Sequence, residues 1–303
     1  MSEVRETWFD QPLVFSIAER DVRGRLVRLG PVLNTIMSAH RYPPVAEKLL
    51  AEALVLTVLL ASTLKDDDSQ LTLQAQTGGG PIDLLVCDFR GNELRGYLKF
   101  DAERLAEVGA DPTLFALFGE GFLAITFDQA ATGERYQGIV PLEGSSIAAA
   151  AEHYFDQSEQ IPSLIRLAAR HDDAGCVAGG LLLQHLPEGE EGRDRLHVRG
   201  DHPEWQHIET IAATLKGEEL TDPATSLETL AWRLFHEEEV RIEPGATVAR
   251  GCRCSTGYFA GVLRQFPATE RADMADESGN IVVDCAFCSR LFPIPLAEIA
   301  ASG

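Results

Sequence analysis

The chain has 303 residues, 45% of them hydrophobic and 24% charged, and carries a net charge of −21 at pH 7. That length suits one large domain or two modest ones. The acidity argues against general binding to phosphate backbones and favours solubility if apolar surface is uncovered.

The first residues, MSEVRETWFDQ, are charged and lack the apolar stretch of a signal peptide. The most apolar segment, Val45 to Leu64, reads as a helix, but Glu47, Lys48 and Glu52 leave only Ala53 to Leu64 uncharged. That is too short to cross a bilayer, so a buried helix and no membrane partner are expected. The expected location is therefore the reducing cytoplasm, where paired cysteines are metal ligands or redox sensors more often than structural disulfides.

Residues 71–100 read as a three-stranded meander with turns at Gly78–Gly80 and Arg90–Asn92. Residues 122–128 and 134–144 form another strand pair around a turn at Ala131–Gly133. Serines at 145–146 suit the cap of a helix running toward residue 160, and CVAGGLLLQHLP (176–187) closes the segment as a strand. Together these elements predict an α+β domain over residues 1–187.

The charged, glycine-bearing EGEEGRDR (188–195) has no apolar period and marks a boundary. Two amphipathic helices follow within a linker of residues 188–250. Trp205, Ile208, Ile211, Ala212 and Leu215 share one face; after a capping Ser226, Leu227, Leu230, Ala231, Leu234 and Phe235 share another. Two helices cannot bury such stripes alone, so they require a surface to lie on. The glutamates at 237–239 are expected to be a solvated helix end.

Residues 251–303 hold four of the six cysteines: Cys252 and Cys254, then thirty residues later Cys285 and Cys288. Two close thiol pairs suit the four soft ligands of a tetrahedral zinc site, and fifty residues have too little core to fold without a staple. C-x-x-C also permits a disulfide, whereas a C-x-C disulfide is strained and relatively oxidising. A closed structural clip is the plain reading of such a site. Cys87 and Cys176, in apolar or small-residue surroundings, are expected to be buried thiols.

Other chemistries fit less well. His236-Glu237-Glu238 with Cys285-x-x-Cys288 superficially matches a zinc deaminase signature. Asp284 stands in place of its proline, however, and the C-x-C pair is left without a role. A thioredoxin-type C-x-x-C opens a helix in a βαβ unit, which the tail does not show. A protein-binding zinc ribbon remains open. A nucleic-acid-binding one does not, because residues 251–303 have four arginines, no lysine and six acids.

CRCS, ESGNIVVDCAFC and the thirty-residue gap resemble the heat shock protein 33 family of redox-regulated holdase chaperones. So, in order, do ERYQGIVPLEG (134–144), YFDQSEQIPS (154–163), AGGLLLQHLP (178–187) and WRLFHEEEV (232–240). The resemblance implies a mixed N-terminal domain, a helical linker and a small zinc-binding domain. It implies one zinc held by Cys252, Cys254, Cys285 and Cys288 in the reduced form, and no enzyme activity. On oxidation it implies Cys252–Cys254 and Cys285–Cys288 disulfides, zinc release and linker unfolding. Unfolding client proteins are then bound and the chain tends to dimerise. The expected client-binding surface includes Trp205, Ile208, Ile211, Leu227, Leu230, Leu234 and Phe235.

Overall fold

The computed structural model describes residues 9–64, 66–186 and 200–300, so the boundary segment 188–195 lies outside the described residues. The N-terminal part contains strands β1 (Leu13–Ile17) and β2 (Val22–Leu29), then helices α1 (Pro31–Met37) and α2 (Pro44–Ala61). Strands β3 (Gln70–Thr77), β4 (Ile82–Arg90) and β5 (Glu93–Phe100) follow, with short helices α3 (Ala102–Ala106) and α4 (Leu114–Phe118). Next come β6 (Gly121–Gln129), β7 (Glu134–Pro141), α5 (Ile147–Tyr154), β8 (Ser163–Asp172) and β9 (Gly175–His185). The remaining chain gives α6 (Pro203–Ala212), α7 (Gly217–Thr221), α8 (Leu227–Phe235), β10 (Val240–Pro244) and β11 (Ala249–Arg250). It ends in α9 (Thr256–Leu263), α10 (Ala268–Asp273), β12 (Asn280–Asp284), β13 (Leu291–Pro295) and α11 (Leu296–Ala300). The fold is α+β, as the sequence suggested.

Two sheets sandwich α2. One has the order β10-β1-β2-β9-β8, the other β11-β5-β4-β3-β6-β7. From Ala53 to Ala61 every residue of α2 is buried, including Thr57, whose hydroxyl donates to the Ala53 carbonyl. A helix apolar on all sides belongs between two layers. The meander is where the glycine pattern placed it. β4 and β5 are joined by Gly91 and Asn92, both at positive φ (56° and 62°), as a two-residue hairpin turn requires.

The five-stranded sheet is buried on both faces. Val27, Leu29, Ile165 and Leu182 point toward α2, while Phe15, Leu26, Leu181 and Leu183 point the other way. Onto that outer face lie α6, α7 and α8. Trp205, Ile208, Leu227, Leu230 and Phe235 are buried there, and Ile211 and Leu234 are partly buried. The rings of Phe235 and Phe15 stand 5.6 Å apart. This is the surface the amphipathic stripes require.

Helix α7 has no clear sequence signal. It is seated by Arg28 on β2, a fully buried arginine with no ion pair among the described residues. Its guanidinium donates to the carbonyls of Leu220 (2.7 Å), Thr225 (2.6 Å) and Glu219 (3.1 Å). Burial pulls its pKa down to about 10. The partner of Arg28 across the sheet is Gly179, where any Cβ would fall 2.3 Å from the Leu220 carbonyl oxygen. Glycine there lets α7 sit directly on the sheet.

Beyond α8 the chain returns to both sheets. β10 pairs antiparallel with β1, and β11 pairs parallel with β5. The expectation of a solvated glutamate run is wrong for Glu238. Its side chain is only 4% exposed, accepts from Arg20 (3.0 and 3.1 Å), and lies 3.0 Å from His207 on α6. Arg20 also pairs with Glu204. The end of α8 is thereby tied to α6 and to the turn after β1.

Candidate metal centre

Cys252 and Cys254 lie on the extended segment after β11. The hydroxyl of Ser255 then caps α9 by accepting from the Tyr258 amide (3.1 Å). Cys285 and Cys288 occupy the tight turn between β12 and β13. There the Cys285 carbonyl accepts from the amides of Cys288 (3.1 Å) and Ser289 (2.8 Å), and Ser289 adopts a positive φ of 53°.

This brings the four sulphurs together. Cys252 Sγ is 3.2 Å from Cys254 Sγ and 3.6 Å from Cys285 Sγ, and Cys254 Sγ is 3.5 Å from Cys288 Sγ. All four lie within 4.8 Å of one another. They are free thiols, and 3.2 Å far exceeds a disulfide length of about 2.05 Å. Four thiolates about 2.3 Å from a common zinc would stand about 3.8 Å apart, so donor type, number and spacing fit a closed tetrahedral site. Cys285 and Cys288 are buried and the other pair is half-buried.

The thiols are electrostatically unequal. Burial opposes ionisation of Cys252, but hydrogen bonds from Cys254, Cys285 and Cys288 outweigh it and bring its pKa down to about 7. Burial, then donation to its neighbours, pushes Cys254 up; burial likewise raises Cys285.

The remaining candidates lie elsewhere. Cys87 is fully buried opposite Gly96, and burial raises its thiol pKa. Burial, then the Glu47 carboxylate, pushes Cys176 up to about 12. Cys176 with Glu47 and His171 forms a second group of ligand-type atoms within 4.8 Å, which sequence spacing does not reveal. There His171 Nδ1 is 2.6 Å from Glu47 Oε1. His236 is exposed at the end of α8 and is not among the clustered residues, and Cys285-x-x-Cys288 is a turn between antiparallel strands. Neither a deaminase nor a thioredoxin arrangement is built. Among the described residues no helix is long and apolar enough to cross a membrane.

The cysteine segments also touch β4, β5 and the segment between α1 and α2. Arg253 donates to Asp88 Oδ2 on β4 (2.6 Å), an oxygen that also accepts from Arg95 on β5 (2.6 and 3.0 Å). The Arg95 guanidinium lies 4.1 Å from the centre of the Phe287 ring, and Tyr97 meets that ring edge-on at 5.0 Å. His40 stands 2.9 Å from the Ala286 carbonyl oxygen and 3.2 Å from the Ser289 hydroxyl. Sequence patterns give no sign of these contacts.

The model of the family described as Hsp33 protein matches residues 10–294. The chain is 38% identical over 288 residues to the 33 kDa chaperonin of Caulobacter vibrioides, covering 92% of this chain and 93% of that one. It is 37% identical over 293 residues to the 33 kDa chaperonin of Yersinia pestis, covering 96% and 94%. The crystal structure of the 33 kDa chaperonin of Thermotoga maritima superposes with a TM-score of 0.77 at 25% identity, covering 96% of each chain.

Proposed function

The chain belongs to the Hsp33 family of chaperones, and we propose that it is a redox-regulated, ATP-independent holdase, quiescent when reduced and active when its four cysteines are oxidised. The observation that carries this reading is the gathering of Cys252, Cys254, Cys285 and Cys288 at one point, in a chain whose helices α6 and α8 cover an apolar sheet face. The division into a 1–187 core, a 188–250 linker and a 251–303 cysteine module belongs to the same proposal. So do a cytoplasmic location and non-catalytic action.

Zinc, one ion per chain, supplies when bound a four-sulphur staple that holds these cysteines as thiolates and is given up when they pair. The module needs such a staple because its own core is small. Cys252 is half-buried and stands 3.2 Å from Cys254, so a thiolate there is open to a small oxidant with its partner within reach. A peroxide oxidises it to a sulfenic acid, and Cys254 closes the disulfide with loss of water. Cys285 and Cys288 pair in the same way. Each thiolate pair gives up two electrons, and one peroxide, taking two protons from solvent, is reduced to two waters.

With the module unfolded, β10, β11 and the linker helices lose an anchor. Lifting α6–α8 uncovers their own stripe and the face built from Phe15, Leu26, Leu181 and Leu183. An unfolding client binds such surface by the hydrophobic effect. Two activated chains associate through it, while the net charge of −21 opposes larger aggregates.

The test is zinc release against peroxide dose, read alongside suppression of aggregation of a heat-denatured client. Both should rise together, and Cys285→Ser/Cys288→Ser should lose zinc affinity and redox dependence. Equal chaperone activity in the reduced zinc form and the oxidised form would leave only a structural zinc clip.

A further inference from the structure

Every residue that separates a cysteine pair touches the N-terminal domain. Arg253, the spacer of C-x-C, reaches Asp88; Ala286 and Phe287, the spacers of C-x-x-C, reach His40, Arg95 and Tyr97. We propose that Asp88, Arg95, Tyr97 and His40 form a receptor for these spacers, with Arg253 and Phe287 as positioning residues that report each thiol pair separately. The proposal rests on the redox reading above and adds the physical link from sulphur chemistry to core.

The Asp88 side chain is 4% exposed. Its Oδ1 is buried with no hydrogen-bond partner among the described residues, so the carboxylate depends on what Oδ2 accepts from Arg95 and Arg253. A buried carboxylate that loses one of two cationic donors is costly to keep in place. Arg95 joins the two inputs, since the same guanidinium binds Asp88 and lies over Phe287.

Disulfide closure acts directly on these contacts. Bringing Cys252 and Cys254 from 3.2 Å to about 2.05 Å between sulphurs changes the backbone torsions of the lone residue between them. The Arg253 guanidinium is then carried off Asp88. Closing Cys285 with Cys288 turns the Phe287 ring and the Ala286 carbonyl in the same way. Each step removes two electrons from its thiolate pair, and a peroxide accepts them together with two protons from solvent. Each thiol pair that closes therefore withdraws its own docking contact from the core.

Docking has built-in reporters. The Ala249 amide donates to the Asn92 carbonyl (2.9 Å) and the Gly251 amide to the Leu94 carbonyl (3.0 Å), both across the junction. In the full-length, reduced, zinc-loaded chain, Arg253→Ala should raise exchange of these amides about tenfold, the scale of one charge-assisted hydrogen bond. Zinc stoichiometry and affinity should not change. Phe287→Ala should act in the same direction, and Arg253→Lys, which keeps a cation for Asp88, should restore protection. In Asp88→Asn the further change to Arg253→Ala should add little. Unchanged exchange in both alanine variants overturns the proposal, and so does loss of zinc in Arg253→Ala or failure of Arg253→Lys to rescue. A wild-type chain that never opens on oxidation sinks the switch reading instead, and the reduced-state docking result is unaffected by it.

Discussion

The helix α2 and the cysteine module reach order by opposite routes. Among the described residues, 45 buried hydrophobic ones form one cluster around α2; the module has eight, two of them Cys285 and Cys288. Burial of apolar area, at about 25 cal/mol per Å², sustains the first region. In the second there is little such area, and the sulphurs must supply what the side chains do not. A switch is built most easily where order depends on one removable contact, and a scaffold where it depends on many.

That contrast can be broken at several points. Chelating the proposed zinc ion from the reduced chain has the largest expected effect. On the order of 10–16 kcal/mol of apparent binding energy is withdrawn from the module. Amide exchange should show β12 and β13 unprotected while β3, β4 and α2 stay protected. Loss of protection throughout would mean that the two regions are not separable.

Leu54→Ala addresses the other side. Leu54 is fully buried in α2, so a cost of about 3–5 kcal/mol is expected. Chemical denaturation should show it in the core, with the peroxide dose for zinc release unaltered.

Arg28→Ala comes next, at about 2–3 kcal/mol. It strands three carbonyls of the α7 region that now accept from a buried guanidinium. The linker should lift in the reduced state with zinc still bound, giving aggregation suppression without oxidant.

The smallest effect is one of pH. His185 is buried, its Nδ1 lacks a partner among the described residues, and its ring lies 5.1 Å from that of His202 and 5.9 Å from that of Trp205 on α6. Burial, then His202, holds its pKa below the usual histidine value, while Asp21 and Glu204 oppose this. A depressed pKa favours the neutral ring in the folded state. The stability it confers is thus complete above the unfolded value of about 6.5 and is lost as pH falls below it. Exchange from α6 should rise modestly on acidification, and less so in His185→Asn.

Legibility in the sequence followed whether a signal was local. The apolar run of α2, the meander turns, the stripe of α8 and the cysteine spacing each lie within a short window, and each reads correctly. β2 does not, because Arg23, Arg25 and Arg28 interrupt it. A buried arginine makes sense only once the carbonyls of residues 219–225, almost two hundred positions away, are laid over it. Glu238 reads as solvent-facing for the same reason; its partner Arg20 is 218 residues distant. The four thiols were legible as a group, whereas the grip of their spacers on Asp88, Arg95 and His40 was not, since arginine, alanine and phenylalanine carry no pattern there.

The pairing of β10 with β1 has a consequence for what the open form exposes. While β10 is in place, the outermost strand on that side of the sheet is a short, largely exposed piece bearing Arg241 and Glu243 and ending in Pro244, a well-guarded rim. Peeling it away leaves the main-chain amides and carbonyls of β1 without their mates, beside newly bared Phe15. An extended polypeptide can add itself there in the place of β10, as the fifth strand, so that main-chain hydrogen bonding would hold a passenger whatever its side chains.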